Sequence, residues 1–291
     1  MSTASASATA VLVCQGRASA DGRYAVGRFS DPVARDLLEP DELEVVDRVR
    51  VGAVPGEGTA RMAYEMVRQT GLTIVPRTVA IDDAIRAQVT GQLVILGAGL
   101  DSRAWRMSEL ASTTVFEVDQ PASQKEKVRR IGARAPLALR VAQVPVDLNS
   151  GALARGLQDA GFDPRARTTW VWEGVIPYLP AAAVAATLGE LSTQSAPGSR
   201  LVLTYQSREL RPRLGRTLLR LVLRASGAAD PLASEPWRSL WRPSELARLC
   251  EQHGYRVDAD DDLLSLSAKL DLPAGVASSL RNGHVAIATR V

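Results

Sequence analysis

The run Leu93–Met107, LVILGAGLDSRAWRM, passes from an apolar stretch into glycines at positions 97 and 99, an aspartate at 101 and a helical pattern starting near Ser102. Glycine at both places lets the backbone turn tightly and lets a ligand lie against it, and a helix N-terminus favours electron-rich groups. Gly97, Ala98 and Gly99 are thus expected to floor a nucleotide-like ligand site. A dinucleotide fingerprint, G-x-G-x-x-G, needs a third glycine where this chain has Ser102. Asp101, just before it, would repel a pyrophosphate but suits a ligand carrying ammonium and sulfonium centres.

Three more acids follow at strand tips. FEVDQP puts Asp119, with Gln120 beside it, where a carboxylate can accept hydrogen bonds from both ribose hydroxyls. That contact fits NAD and S-adenosylmethionine equally, and a helix-capping role ahead of PASQKEK is the alternative. In VPVDLNS, Asp147 and the Leu148 amide can read the exocyclic amine and a ring nitrogen of an adenine. Glu173, after WVW, stands at the mouth of such a site. Candidates for acceptor chemistry are Glu173, Tyr178 and Tyr205. His253, ahead of a glycine, and His284, on an alternating strand, read as structural. No His/Cys cluster suggests a metal.

The apolar pattern says how these residues meet. Short apolar runs at Leu93–Leu96, Thr114–Val118, Leu139–Val144, Thr169–Trp172 and Leu201–Tyr205 alternate with stretches of crossover length, which predicts an α/β fold: a mostly parallel, Rossmann-like sheet with helices on both faces. A helix over Pro243–His253, a strand at Tyr255–Val257 and a closing strand at His284–Val291 complete it. Ser30 to Arg86 reads as a group of short helices, and the first residues as a short disordered tail without a targeting segment. We therefore expect an N-terminal tail and helical cap over 1–88 and a Rossmann-like domain over 89–291, with a helical lid insertion at about 206–242.

Composition agrees with a soluble globular protein: 291 residues, 46% hydrophobic and 23% charged, with no apolar run of membrane-spanning length. The net charge of +3 is carried almost wholly by arginine, with lysine only at Lys125, Lys127 and Lys269. Neither nucleic acid nor a stable membrane contact is expected as partner. Two cysteines without companions fit a reducing cytoplasm, and the chain is expected as monomer or homodimer.

In order and separation, ILGAGLDSRAWRM, FEVDQP, VPVDL and WEGVIPYL, with VPRTVAIDDAI upstream, resemble the leucine carboxyl methyltransferase family of S-adenosylmethionine-dependent methyltransferases, including its bacterial natural-product members. The resemblance covers about residues 60 to 205. It implies a class I methyltransferase fold with S-adenosylmethionine as cofactor: Arg77 on the carboxylate of its methionine part, Gly97 against it by backbone, Asp119 on the ribose, Asp147 with Leu148 on the adenine, and Glu173 near the amine. A small-molecule oxygen is the acceptor it favours. Carbon or nitrogen methylation with Glu173 as base, an NAD-dependent dehydrogenase, and a regulator that only binds the cofactor stay open. The segment QSRELRPRLGRTLLRLVLRASG sets Leu210, Leu214, Leu218 and Leu221 on one helical face and Arg213, Arg216, Arg220 and Arg224 on another, which suggests a lid over an anionic acceptor.

Overall fold

In a computed structural model of the chain, residues 7–208, 237–273 and 277–291 are described. Seven strands among them form one sheet: β1 (Gln92–Leu96), β2 (Thr114–Asp119), β3 (Arg140–Pro145), β4 (Thr168–Trp172), β5 (Arg200–Gln206), β6 (Tyr255–Asp262) and β7 (Gly283–Arg290). Their order is β3-β2-β1-β4-β5-β7-β6, parallel from β3 to β5, with β7 antiparallel to both neighbours. The order reverses between β1 and β4, and ligands of open α/β sheets bind at such a switch point, beyond the strands' C-terminal ends.

Both faces are buried, which is why β1 and β4 read as unbroken apolar runs rather than alternating ones. Leu93, Ile95, Val115, Val171 and Val202 pack under three N-terminal helices, α1 (Ala8–Ala20), α2 (Pro40–Val51) and α3 (Gly58–Ala87). Val94, Leu96, Phe116, Trp170, Trp172 and Leu203 face α6 (Leu153–Asp159), α7 (Ala181–Thr193) and α8 (Pro243–Gln252). Between them in the chain lie the single-turn α4 (Arg103–Arg106) and α5 (Pro121–Ile131), and two short helices, α9 (Leu263–Ala268) and α10 (Ala277–Asn282), precede β7.

The N-terminal third departs from expectation. Residues 1–6 of the expected disordered tail lie outside the described residues, but from Ala8 the chain is helical: α1 buries Cys14, Ala18 and Ala20, and its Arg17 Nε donates to Asp31 Oδ2 at 2.8 Å. Gly16 on α1 meets Gly71 on α3: a Cβ on Gly16 would lie 2.7 Å from Thr70 Cγ2 and 3.2 Å from the Gly71 amide, so only glycine permits the crossing. Nor are Gly58 to Ala87 short helices; they are one helix running through Pro76. Proline in a helix interior costs about 3 kcal/mol in isolation, but Val75, Pro76, Val79 and Ile81 are all buried and packing holds the helix continuous. The helix expected near Ser102 is only the turn α4, and Tyr255–Val257 extends to the eight-residue β6. Of the expected lid, residues 209–236, with all the leucines and arginines that suggested it, lie outside the described residues. Its flanks lie together: Ser207 bridges to Trp241, and the Trp241 amide donates to the Gln206 carbonyl. No helix among the described residues is long and apolar enough to cross a membrane.

Candidate functional site

The turn after β1 is fastened to the neighbouring strand tips. Gly97 and Ala98 amides donate to the Val118 carbonyl at 2.8 and 3.0 Å, and the Gly99 amide to Asp119 Oδ2 at 2.6 Å. Asp119 Oδ1 accepts from the Gln120 amide, and its carbonyl accepts from the Val146 amide, which ties in the end of β3. Gly97 has φ +68°, and a Cβ there would stand 2.3 Å from Val175 Cγ2. That position requires glycine for the turn and for the contact alike.

Above this rim lies a cavity of about 390 Å3, within the span of ordinary ligand pockets. Arg77, Gly97, Ala98, Gly99, Asp101, Asp119, Gln120, Asp147, Leu148, Glu173 and Tyr178 all line it. Eleven of the twelve residues expected at the site are therefore brought together. The exception is Tyr205, which is 1% exposed, donates its hydroxyl to Asp260 Oδ2 at 2.6 Å and stacks on His284. Burial, with Asp260 beside it, pushes its phenol above the ordinary tyrosine range. Its strand points it to the opposite face of the sheet from Glu173.

Charges behind the cavity form one buried network. Glu173 Oε1 accepts from Arg77 Nε and Oε2 from Arg103 Nη1, both at 2.8 Å. Arg103, 2% exposed, also binds Asp82 at 2.8 Å and Asp101; Arg106 binds Asp82 at 2.7 Å. Asp31 joins Arg17 to the Ser102 hydroxyl. Burial alone would raise the Glu173 pKa, but the Arg103 and Arg77 guanidiniums outweigh it and hold the carboxyl well below the usual range. So committed, Glu173 is a poor proton acceptor. Asp101 likewise spends its carboxylate on Arg103, by side chain and by amide, which removes the repulsion of a pyrophosphate expected from it. Asp119 differs: burial lifts its pKa, only partly opposed by the Gly99 and Gln120 amides.

Comparison with known proteins decides what this frame belongs to. The sequence profile described as leucine carboxyl methyltransferase matches residues 10–192. The chain belongs to that family. A relative from Mycolicibacterium gilvum, provisionally named an S-adenosyl-L-methionine-dependent methyltransferase, is 38% identical over 205 residues, 68% of this chain and 66% of its own length. One from Frankia alni under the same provisional name is 39% identical over 193 residues, covering 62% and 66%. The matched part is thus just under two thirds of these relatives. In fold, a DUF574-family protein from Streptomyces avermitilis superimposes with a TM-score of 0.56 at 15% identity, over 91% of this chain and 94% of that one. The family is that of the leucine carboxyl methyltransferases, and S-adenosylmethionine is the cofactor that the two relatives' names carry.

For a leucine carboxyl methyltransferase family member, the chain's own residues fit that cofactor. Arg77, whose Nε donates to Glu173, lines the cavity and carries a guanidinium, the group that pairs with carboxylates. Thr9 Oγ1 is buried in the cavity wall without a hydrogen-bond partner, the mark of a group that a ligand completes. Sequence reasoning missed the whole contribution of α1, namely Thr9, Ala10, Val13 and Arg17, and also Ser123, Asn149 and Arg238. Helical spacing of Ala10, Cys14, Arg17 and Ala18 was the available signal. His253 does end α8, as expected, and no group of metal-ligating side chains is found among the described residues.

Proposed function

We propose that the protein transfers a methyl group from S-adenosylmethionine to an oxygen, a carboxylate or hydroxyl, of a small anionic metabolite in secondary metabolism, acting in the cytoplasm. The observation that carries this reading is the single cavity at the switch point that gathers Arg77, the Gly97–Gly99 turn, Asp119, Asp147 and Glu173. Arg77, with Arg17 near it, would hold the cofactor's carboxylate, Glu173 its amine, Asp119 the ribose, and Asp147 with the Leu148 amide the adenine. Bound there, the cofactor would supply an electrophilic methyl on a sulfonium. What the protein has to add is alignment of the acceptor and exclusion of water. Tyr178 and Arg238 on the same wall would face the acceptor, and the cationic side chain supports an anionic one. Two free, buried cysteines support a reducing compartment.

The committed Glu173 supports a binding role over proton removal, and so favours oxygen over carbon as nucleophile. Calorimetry with S-adenosylhomocysteine and with NAD tests the cofactor: micromolar binding of the first and none of the second is expected, because Ser102 replaces the glycine that a pyrophosphate turn needs. Incubation with labelled S-adenosylmethionine and candidate acids or phenols separates enzyme from regulator. Binding without turnover of any acceptor would favour the regulator.

A further inference from the structure

Beyond β5, at the same edge of the sheet but outside the cofactor cavity, a second pocket of about 290 Å3 opens among Ser207, Arg208, Asp262, Ser265, Arg281 and His284. None of these belongs to the cofactor residues. Ser207, which is 5% exposed, has a buried hydroxyl with no hydrogen-bond partner, an expensive arrangement unless a ligand completes it. His284 is fixed: its Nδ1 lies 2.9 Å from Asp260 Oδ1, the other carboxylate oxygen accepts from the Tyr205 hydroxyl, and the Tyr205 ring stacks on the imidazole at 4.9 Å. With Nδ1 engaged, Nε2 is the nitrogen left for the pocket. Among the described residues Arg281 makes no ion pair, and the Arg208 guanidinium donates to the Leu240 carbonyl at 3.3 Å. Asp262, the one acid among the described lining residues, is already occupied by the Ser265 amide and hydroxyl at 2.8 and 2.9 Å.

We propose that this pocket binds an anionic group of a small molecule, a carboxylate or a phosphate, through Arg208, Arg281, the Ser207 hydroxyl and His284. Two guanidiniums supply charge and planar donor pairs. The serine hydroxyl gains the partner it lacks. In the imidazolium form both His284 nitrogens donate, one to Asp260 and one into the pocket, and Asp260 balances the charge. The assignment needs no cofactor, so it stands or falls apart from the methyltransferase reading. Under that reading, the pocket would receive the acceptor's acidic end: the segment from Arg238 to Trp241, whose ends bond to Pro177 and Gln206, separates it from the cofactor cavity.

The chain has two histidines, so the imidazole nitrogen spectrum of the full-length protein carries its own control. Inorganic phosphate and acetate are titrated separately at constant ionic strength made up with chloride. A saturable shift of the His284 signals with His253 unmoved is expected, and whichever anion binds more tightly identifies the group. Arg281→Gln, at an exposed position, and Ser207→Ala should each weaken that binding, the first by about tenfold or more. Shifts that do not saturate, that fall equally on both histidines, or that persist unchanged in Arg281→Gln would overturn the proposal.

Discussion

Asp119 does two jobs with one carboxylate. It accepts the Gly99 and Gln120 amides, which fixes the turn, and it lines the cavity. Asp119→Ala should therefore weaken S-adenosylhomocysteine binding by about 2 to 3 kcal/mol, the scale of losing a charged hydrogen-bond partner, and calorimetry reads it directly. Because burial raises this pKa, the group protonates above the ordinary value of about 4. Affinity should accordingly begin to fall on acidification while free carboxylates are still charged, and that early fall should be missing in Asp119→Asn. Glu173 makes the opposite case. Its pKa is held down, so Glu173→Gln removes a charge that two arginines need, and cofactor affinity and single-turnover rate should drop together. Loss of rate with affinity intact would instead make Glu173 the base.

At the scale of elements, the switch-point cavity is built from strand tips and from helices α1 and α3. Strand tips and turn were legible because their signals are local: glycines at 97 and 99, and acids one residue past apolar runs. The α1–α3 cap was not, because its cause is tertiary. Gly16 and Gly71 look like helix breakers in sequence yet are the contact that lets α1 sit down, and Pro76 looks like an end yet is buried in mid-helix. Gly71→Val should accordingly lift α1 from its seat. The expected result is rapid amide exchange over Ala8–Ala20 and lost S-adenosylhomocysteine binding, with the strands still protected. The network beneath behaves as a unit too. Asp82 and Glu173 both have lowered pKa values, so their contribution is full above about pH 4 and is lost as pH falls toward their folded values. Asp82→Asn should be destabilised at neutral pH, by about 3 kcal/mol for a broken buried pair, and the gap to wild type should close as the medium is acidified below about pH 4.

Across the whole molecule, the carriers of the site are far apart in sequence and converge at the parallel sheet's switch point: α1 supplies Thr9 and Arg17, α3 Arg77, α5 Ser123, the segment before α8 Arg238, and the tips of β1 to β4 most of the others. Tyr205 was misassigned because position after a strand says which end a residue occupies, not which face. Such a site couples two otherwise separable layers. A cofactor wedged between the helix cap and the strand tips binds the folded state only, so saturation should stabilise cap and sheet as one body. At a concentration about 100 times its dissociation constant, S-adenosylhomocysteine should add about 2.7 kcal/mol and raise the melting temperature by about 5 °C or more. The same addition should slow amide exchange in α1 to the rate of the β1 and β4 core. If the melting temperature rises while α1 exchange stays unchanged, then the helix is not a wall of the occupied site, and the cofactor rests on the strand tips alone.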